Sequence, residues 1–143
     1  MRRQYETSGD LKNENEARDE IERCWDLRVH KLPISYKLDW VICRDNSIVG
    51  WGEFKKRNIS INQYPTVILS AMKVKEMILY ASVVGKAMFF VRFQEGLYFA
   101  EIDSEDSRKG TWGGRTWQRR DDQDEEPVIL IPVSKFQKVE VPK

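Results

Sequence analysis

The chain has 143 residues, 24 Lys+Arg against 23 Asp+Glu for a formal net charge of +1, with 41% hydrophobic and 33% charged residues. That length holds one domain with a core of its own, and the near-neutral balance excludes a uniformly basic surface, so any phosphate contact has to be local. Two cysteines without CxxC spacing and a single histidine, His30, argue against a zinc site or a disulfide framework, and no apolar run reaches the roughly 18 residues of a membrane span, so a soluble, cytoplasmic protein without a membrane partner is expected.

Residues 1–12 are polar, with Ser8-Gly9-Asp10 as a break, and read as a flexible lead. Over 13–24, Ala17, Ile21 and Cys24 recur at helical spacing on a charged background, which predicts a helix with a narrow apolar stripe. Leu27 to Leu32 alternates and stops at Pro33, as a strand does, and two more strands are predicted over 36–44 and 48–57. After the polar connection 58–63, Tyr64-Pro65-Thr66 places proline where a first helical turn tolerates it. A helix is therefore predicted from there to about Val84, burying Ile68, Ala71, Met72, Ile78, Leu79 and Val83 and closed by Gly85. Ala87 to Phe93 and Leu97 to Ile102 read as a hairpin around Gln94-Glu95-Gly96, 103–126 as loop, and Val128 to Ile131 as a last short strand. This order predicts an α/β (α+β) domain around a mixed sheet.

The chemistry concentrates in two apolar runs, Lys37-Leu38-Asp39-Trp40-Val41-Ile42 and Val49-Gly50-Trp51-Gly52-Glu53-Phe54-Lys55. A charge at a core position is costly unless it is paired or holds a metal, so a lone aspartate and a Glu-x-Lys in neighbouring strands call for a common reason. A Mg²⁺-dependent phosphodiesterase site supplies one, with Asp39 and Glu53 as ligands and Lys55 steadying the attacking water or the phosphate. A three-residue loop at Asp45-Asn46-Ser47 puts Arg44 opposite Ile48, Val41 opposite Trp51 and Asp39 opposite Glu53. A two- or four-residue loop would shift the pairing and send the carboxylates to opposite faces, and the turn residues allow either count.

Asp39 followed one strand later by Glu53-Phe54-Lys55 resembles the PD-(D/E)xK nuclease superfamily, most closely its small Holliday-junction-resolvase-like and phage endonuclease members. The resemblance covers about 13–102 and implies a restriction-endonuclease-like α-β-β-β-α-β core with a mixed sheet flanked by helices, 103–143 being an extension of the same domain. It implies a glutamate on the first helix, matched by Glu14 with Ala17 and Ile21 behind it. It further implies Mg²⁺ or Mn²⁺ as cofactor, held by Asp39, Glu53 and the Phe54 carbonyl with Glu14 in support. Its substrate would be DNA, with branched DNA the form implied by the resolvase-like members, cleaved by a homodimer in the cytoplasm of a phage host.

Candidate DNA contacts are Lys56, Arg57, Lys73 and the arginines Arg115, Arg119 and Arg120, which lie among glycines and tryptophans before an acidic run. The plainer readings are an exposed strand edge for Lys56 and Arg57, a snorkelling surface lysine for Lys73, and for the arginines a hairpin neutralised by the adjacent acidic run 121–126. The rival from another class is an inactive nucleic-acid- or protein-binding module on the same scaffold, in which Asp39 and Lys55 form an inert ion pair.

Overall fold

The computed structural model describes residues 8–114 and 125–142. Its elements are α1 (Ser8–Trp25), β1 (Arg28–Lys31), β2 (Trp40–Arg44), β3 (Ser47–Lys56), β4 (Thr66–Ser70), α2 (Ala71–Val83), β5 (Lys86–Phe93), β6 (Gly96–Ile102), β7 (Gly110–Gly114), β8 (Glu125–Pro132) and β9 (Gln137–Lys138). The main sheet has the order β1-β2-β3-β5-β6-β9, and β4-β8-β7 form a smaller one. Within the main sheet β3 and β5 run parallel, while the other neighbours are antiparallel. This is the mixed sheet flanked by helices that the sequence implies.

Each face of the main sheet has its own core. Ala17 and Ile21 of α1 pack on Val29, Trp40, Ile42 and Phe90, with Phe54 at the margin. On the other face Val74 and Met77 of α2 join Phe89, Val91, Leu38 and the inward residues of the small sheet, Val67, Leu69, Ile129 and Ile131. Alternation along β3 thus sends Gly52 and Phe54 toward α1, and Trp51, Glu53 and Lys55 toward α2.

Four segments depart from expectation, the shortest being residues 36–39, expected in the second strand but lying before β2, which begins at Trp40. Helix α1 begins at Ser8, so residues 8–12, expected in the flexible lead, are helical. Thr66 to Ser70 is a strand, not the first turns of a helix, because Val67 and Leu69 point inward and pair with Ile131 and Ile129 of β8. The helix starts only after Ser70, whose side chain accepts the Met72 amide hydrogen at 3.2 Å. Its buried side is Lys73, Val74 and Met77, so the expected inward residues Met72, Leu79 and Val83 are 60%, 54% and 78% exposed and Ile68 stands on the open side of β4. The stretch expected to be loop holds a 3-10 turn, Ser104–Lys109, and β7. Buried Asp106 caps that turn and ties it to Lys135, which fastens the chain's end to the small sheet. No helix of the described residues is long and apolar enough to cross a membrane.

Candidate active site

The β2–β3 hairpin decides which side chains meet. Its loop is Asp45-Asn46, two residues rather than three, with Asp45 at φ 56° and Arg44 opposite Ser47. Alone, that loop would separate the two carboxylates. A bulge between Ile42 and Cys43 corrects it: Cys43 faces Ile48 but Ile42 faces Gly50, so Val49 is the extra residue and Val41 regains Trp51 as partner. The ladder ends at Trp40–Gly52, and Asp39, one residue before β2, accepts the Phe54 amide hydrogen on Oδ2 at 2.9 Å. Asp39 and Glu53 are thereby brought together, by a route different from the expected one.

Glu53 is 4% exposed and lies on the α2 side. Burial first, and the nearby Asp39 charge second, push its carboxyl up from 4.5 to about 7, while Lys73 and Lys55 pull in the opposite direction. The Lys73 ammonium stands 3.3 Å from Glu53 Oε1 and also donates to the Lys37 carbonyl, so it stitches the glutamate to the turn that carries Asp39. The 3.3 Å contact with Lys73 is long for a hydrogen bond, and Oε1 makes no other among the described residues. A buried carboxylate oxygen in that state is an acceptor short of a donor, which a cation could satisfy.

Glu14 sits elsewhere. Its carboxylate is 6% exposed and accepts from Trp40 Nε1 and Lys31 Nζ, each at 3.0 Å, on the α1 side of the sheet. Trp40 in turn stacks on Phe54, ring centroids 5.4 Å apart. Among the described residues no three of His, Cys, Asp and Glu gather at metal-binding range, so Glu14 does not join Asp39 and Glu53. It does border a cleft of about 260 Å³ with Phe54, Lys55, Lys56 and Arg57.

The expected DNA contacts divide. Lys56 and Arg57 follow Lys55 at the end of β3 and line that cleft, Lys56 being exposed. Lys73 directs its ammonium to Glu53, and Arg115, Arg119 and Arg120 lie outside the described residues. His30 is exposed on β1, opposite Val41. Sequence reasoning missed Arg92, which interrupts the aromatic run of β5 and pairs in register with Lys56. The signal that singled out Asp39, a charge inside an apolar strand, was present there as well.

The two carboxylates and the adjoining lysines are a set that can bind a cation and offset charge on a phosphate, and of these Lys55 also borders the cleft. A family model described as "Phage putative PDDEXK endonuclease" matches residues 1–139. No curated protein matches the chain.

Proposed function

Starting from a chain that belongs to this phage PDDEXK endonuclease family, we propose that Asp39, Glu53 and Lys55 form a metal-dependent site that hydrolyses phosphodiester bonds in DNA. The observation that carries the reading is the buried Glu53 carboxylate, set beside Asp39 with its Oε1 met by the Lys73 ammonium only at 3.3 Å. Two carboxylates suit Mg²⁺ or Mn²⁺, since such ions bind through one or two protein carboxylates and leave their other positions to water and substrate phosphate. Asp39 and Glu53 would hold the ion, with the Phe54 carbonyl as a third oxygen. When bound, the ion supplies a water of lowered pKa and a counter-charge for the phosphate.

The protein's own groups do the rest. The Phe54 amide fixes one oxygen of Asp39 and leaves the other to face the site. Lys73 holds Glu53 in place and keeps part of its charge compensated. Lys55, on the same face of β3 two residues further on, orients the attacking water or meets charge that grows on a non-bridging oxygen. Glu14 acts through Trp40 and Phe54, by fixing the rings that back the strand bearing Glu53. No feature of the described residues singles out branched DNA or a homodimer, and neither enters the proposal.

Cleavage of a labelled DNA duplex should require Mg²⁺ or Mn²⁺ and disappear in Asp39→Asn and Glu53→Gln, with binding retained, because each change removes a ligand charge and keeps the shape. Robust cleavage in EDTA, or by either variant, would refute the mechanism. One observation favours a rival, a binding module without cleavage: the buried Lys73–Glu53 pair gives the scaffold a partly compensated core without any ion. Duplex binding with no metal-dependent cleavage would decide for it.

A further inference from the structure

The cleft beside Lys55 continues. A second concavity of about 240 Å³ adjoins it and reaches Asn58, Arg92 and Gln94, and the two share Asn13, Phe54, Lys56 and Arg57. Together they make one groove at the carboxyl ends of β3 and β5, the parallel pair of the main sheet, which is where open α/β sheets place their ligands.

We propose that this groove is the track of a DNA strand's sugar–phosphate backbone away from the cleavage site, and that Arg92 binds a phosphate in it. The inference rests on the nuclease reading and adds to it a path and a residue. The β3–β5 register sets Lys56 directly beside Arg92, so two cationic side chains share the strand side of the groove, while Arg57 adds its backbone there and turns its guanidinium to the Ile68 carbonyl. Glu20 already offsets one of these two paired charges, and a backbone phosphate is an anion that both Lys56 and Arg92 can meet from within the groove. The α1 side of the groove carries Asp10, Glu14 and Glu16, which repel phosphate and so press the backbone toward the strand ends.

Arg92 is held in reserve by Glu20 at 2.8 Å, both side chains remaining about a quarter exposed, 25% and 23%. A phosphate in the groove would compete with that carboxylate for the guanidinium, which offers more donors than one partner uses. Glu20 itself does not line the groove, so its removal tests Arg92 without touching the track.

The test is binding of a fluorescein-labelled DNA duplex in EDTA across a salt series, with cleavage at saturating duplex measured separately in Mg²⁺. Arg92→Gln should weaken binding several-fold and reduce the slope of log K against log salt by about 0.9, the share of one phosphate contact. Arg92→Lys should restore most of the slope. Glu20→Gln should tighten binding, since it frees Arg92, and its cleavage rate at saturation should stay unchanged. Unchanged affinity and slope in Arg92→Gln would overturn the groove assignment, as would a loss of binding in Glu20→Gln equal to that in Arg92→Gln, which marks a structural tie. Wild-type protein that neither binds nor cuts the duplex would overturn the nuclease reading itself.

Discussion

A carboxylate enclosed by protein and set beside a second carboxylate holds its proton more tightly than it would in water, and Glu53 does so up to about 7. The native state then carries more protons than the unfolded state between 4.5 and about 7, so this group's stabilising share is full below 4.5 and is lost as pH rises through 7. In EDTA, wild-type stability relative to Glu53→Gln should therefore fall across that window, by up to about 3 kcal/mol, as read from urea midpoints at several pH values. Asp106 does not contribute in this window: burial pushes its carboxyl up, but Lys135, the Asp103 amide and Lys109 together outweigh burial and hold it below 3.8, so its stabilising share is lost only as pH falls below that range. Lys73→Met should cost about 3 kcal/mol above pH 7, where it strands a buried charge, and much less near pH 4, where Glu53 is neutral. A cost independent of pH would make Lys73 a packing residue. Lys55→Ala should lower the single-turnover cleavage rate at saturating DNA far more than it lowers affinity, because charge on the phosphate grows toward the transition state. Weaker binding at an intact rate would reduce Lys55 to a phosphate contact.

Among the elements, the β2–β3 hairpin shows both the reach and the limit of sequence reasoning. Alternation around Trp40, Ile42 and Trp51 is a local pattern, so the strands were legible; the loop count was not, because Asp45-Asn46-Ser47 suits more than one turn. The expected pairing of Val41 with Trp51 is present only because the bulge at Val49 compensates for the shorter loop, and a bulge answers to packing on both faces rather than to local sequence. Thr66 to Ser70 failed for a related reason: its partner, β8, is sixty residues away, roughly, and only that pairing tells a strand from the first turns of a helix. Gly52 ties the hairpin to the site, since a Cβ there would lie 2.9 Å from the Trp40 ring that Glu14 and Phe54 hold. Gly52→Ala should cost about 1–3 kcal/mol and loosen Trp40, measurable as a lower urea midpoint with altered tryptophan fluorescence. An unchanged midpoint would show that the ring moves freely and that the Glu14–Trp40–Phe54 stack is not a support.

For the molecule as a whole, two helices on opposite faces of one sheet divide the expected carboxylate triad. Asp39 and Glu53 meet on the α2 side, whereas Glu14 stays with Trp40 on the α1 side. Only the family resemblance, with Ala17 and Ile21 behind it, marks the helical glutamate in the sequence, while its burial against Trp40 is not legible there, because which face α1 covers depends on the order of strands in the sheet. The central claim is that the cation belongs to Asp39 and Glu53 alone among the carboxylates. Anomalous diffraction from crystals soaked in Mn²⁺ addresses it without recourse to activity. A single strong peak within about 2.0–2.4 Å of carboxylate oxygens of both Asp39 and Glu53 is the expected result. A peak at Glu14 instead, or no peak at the Asp39–Glu53 pair in crystals that bind Mn²⁺ elsewhere, would contradict the assignment.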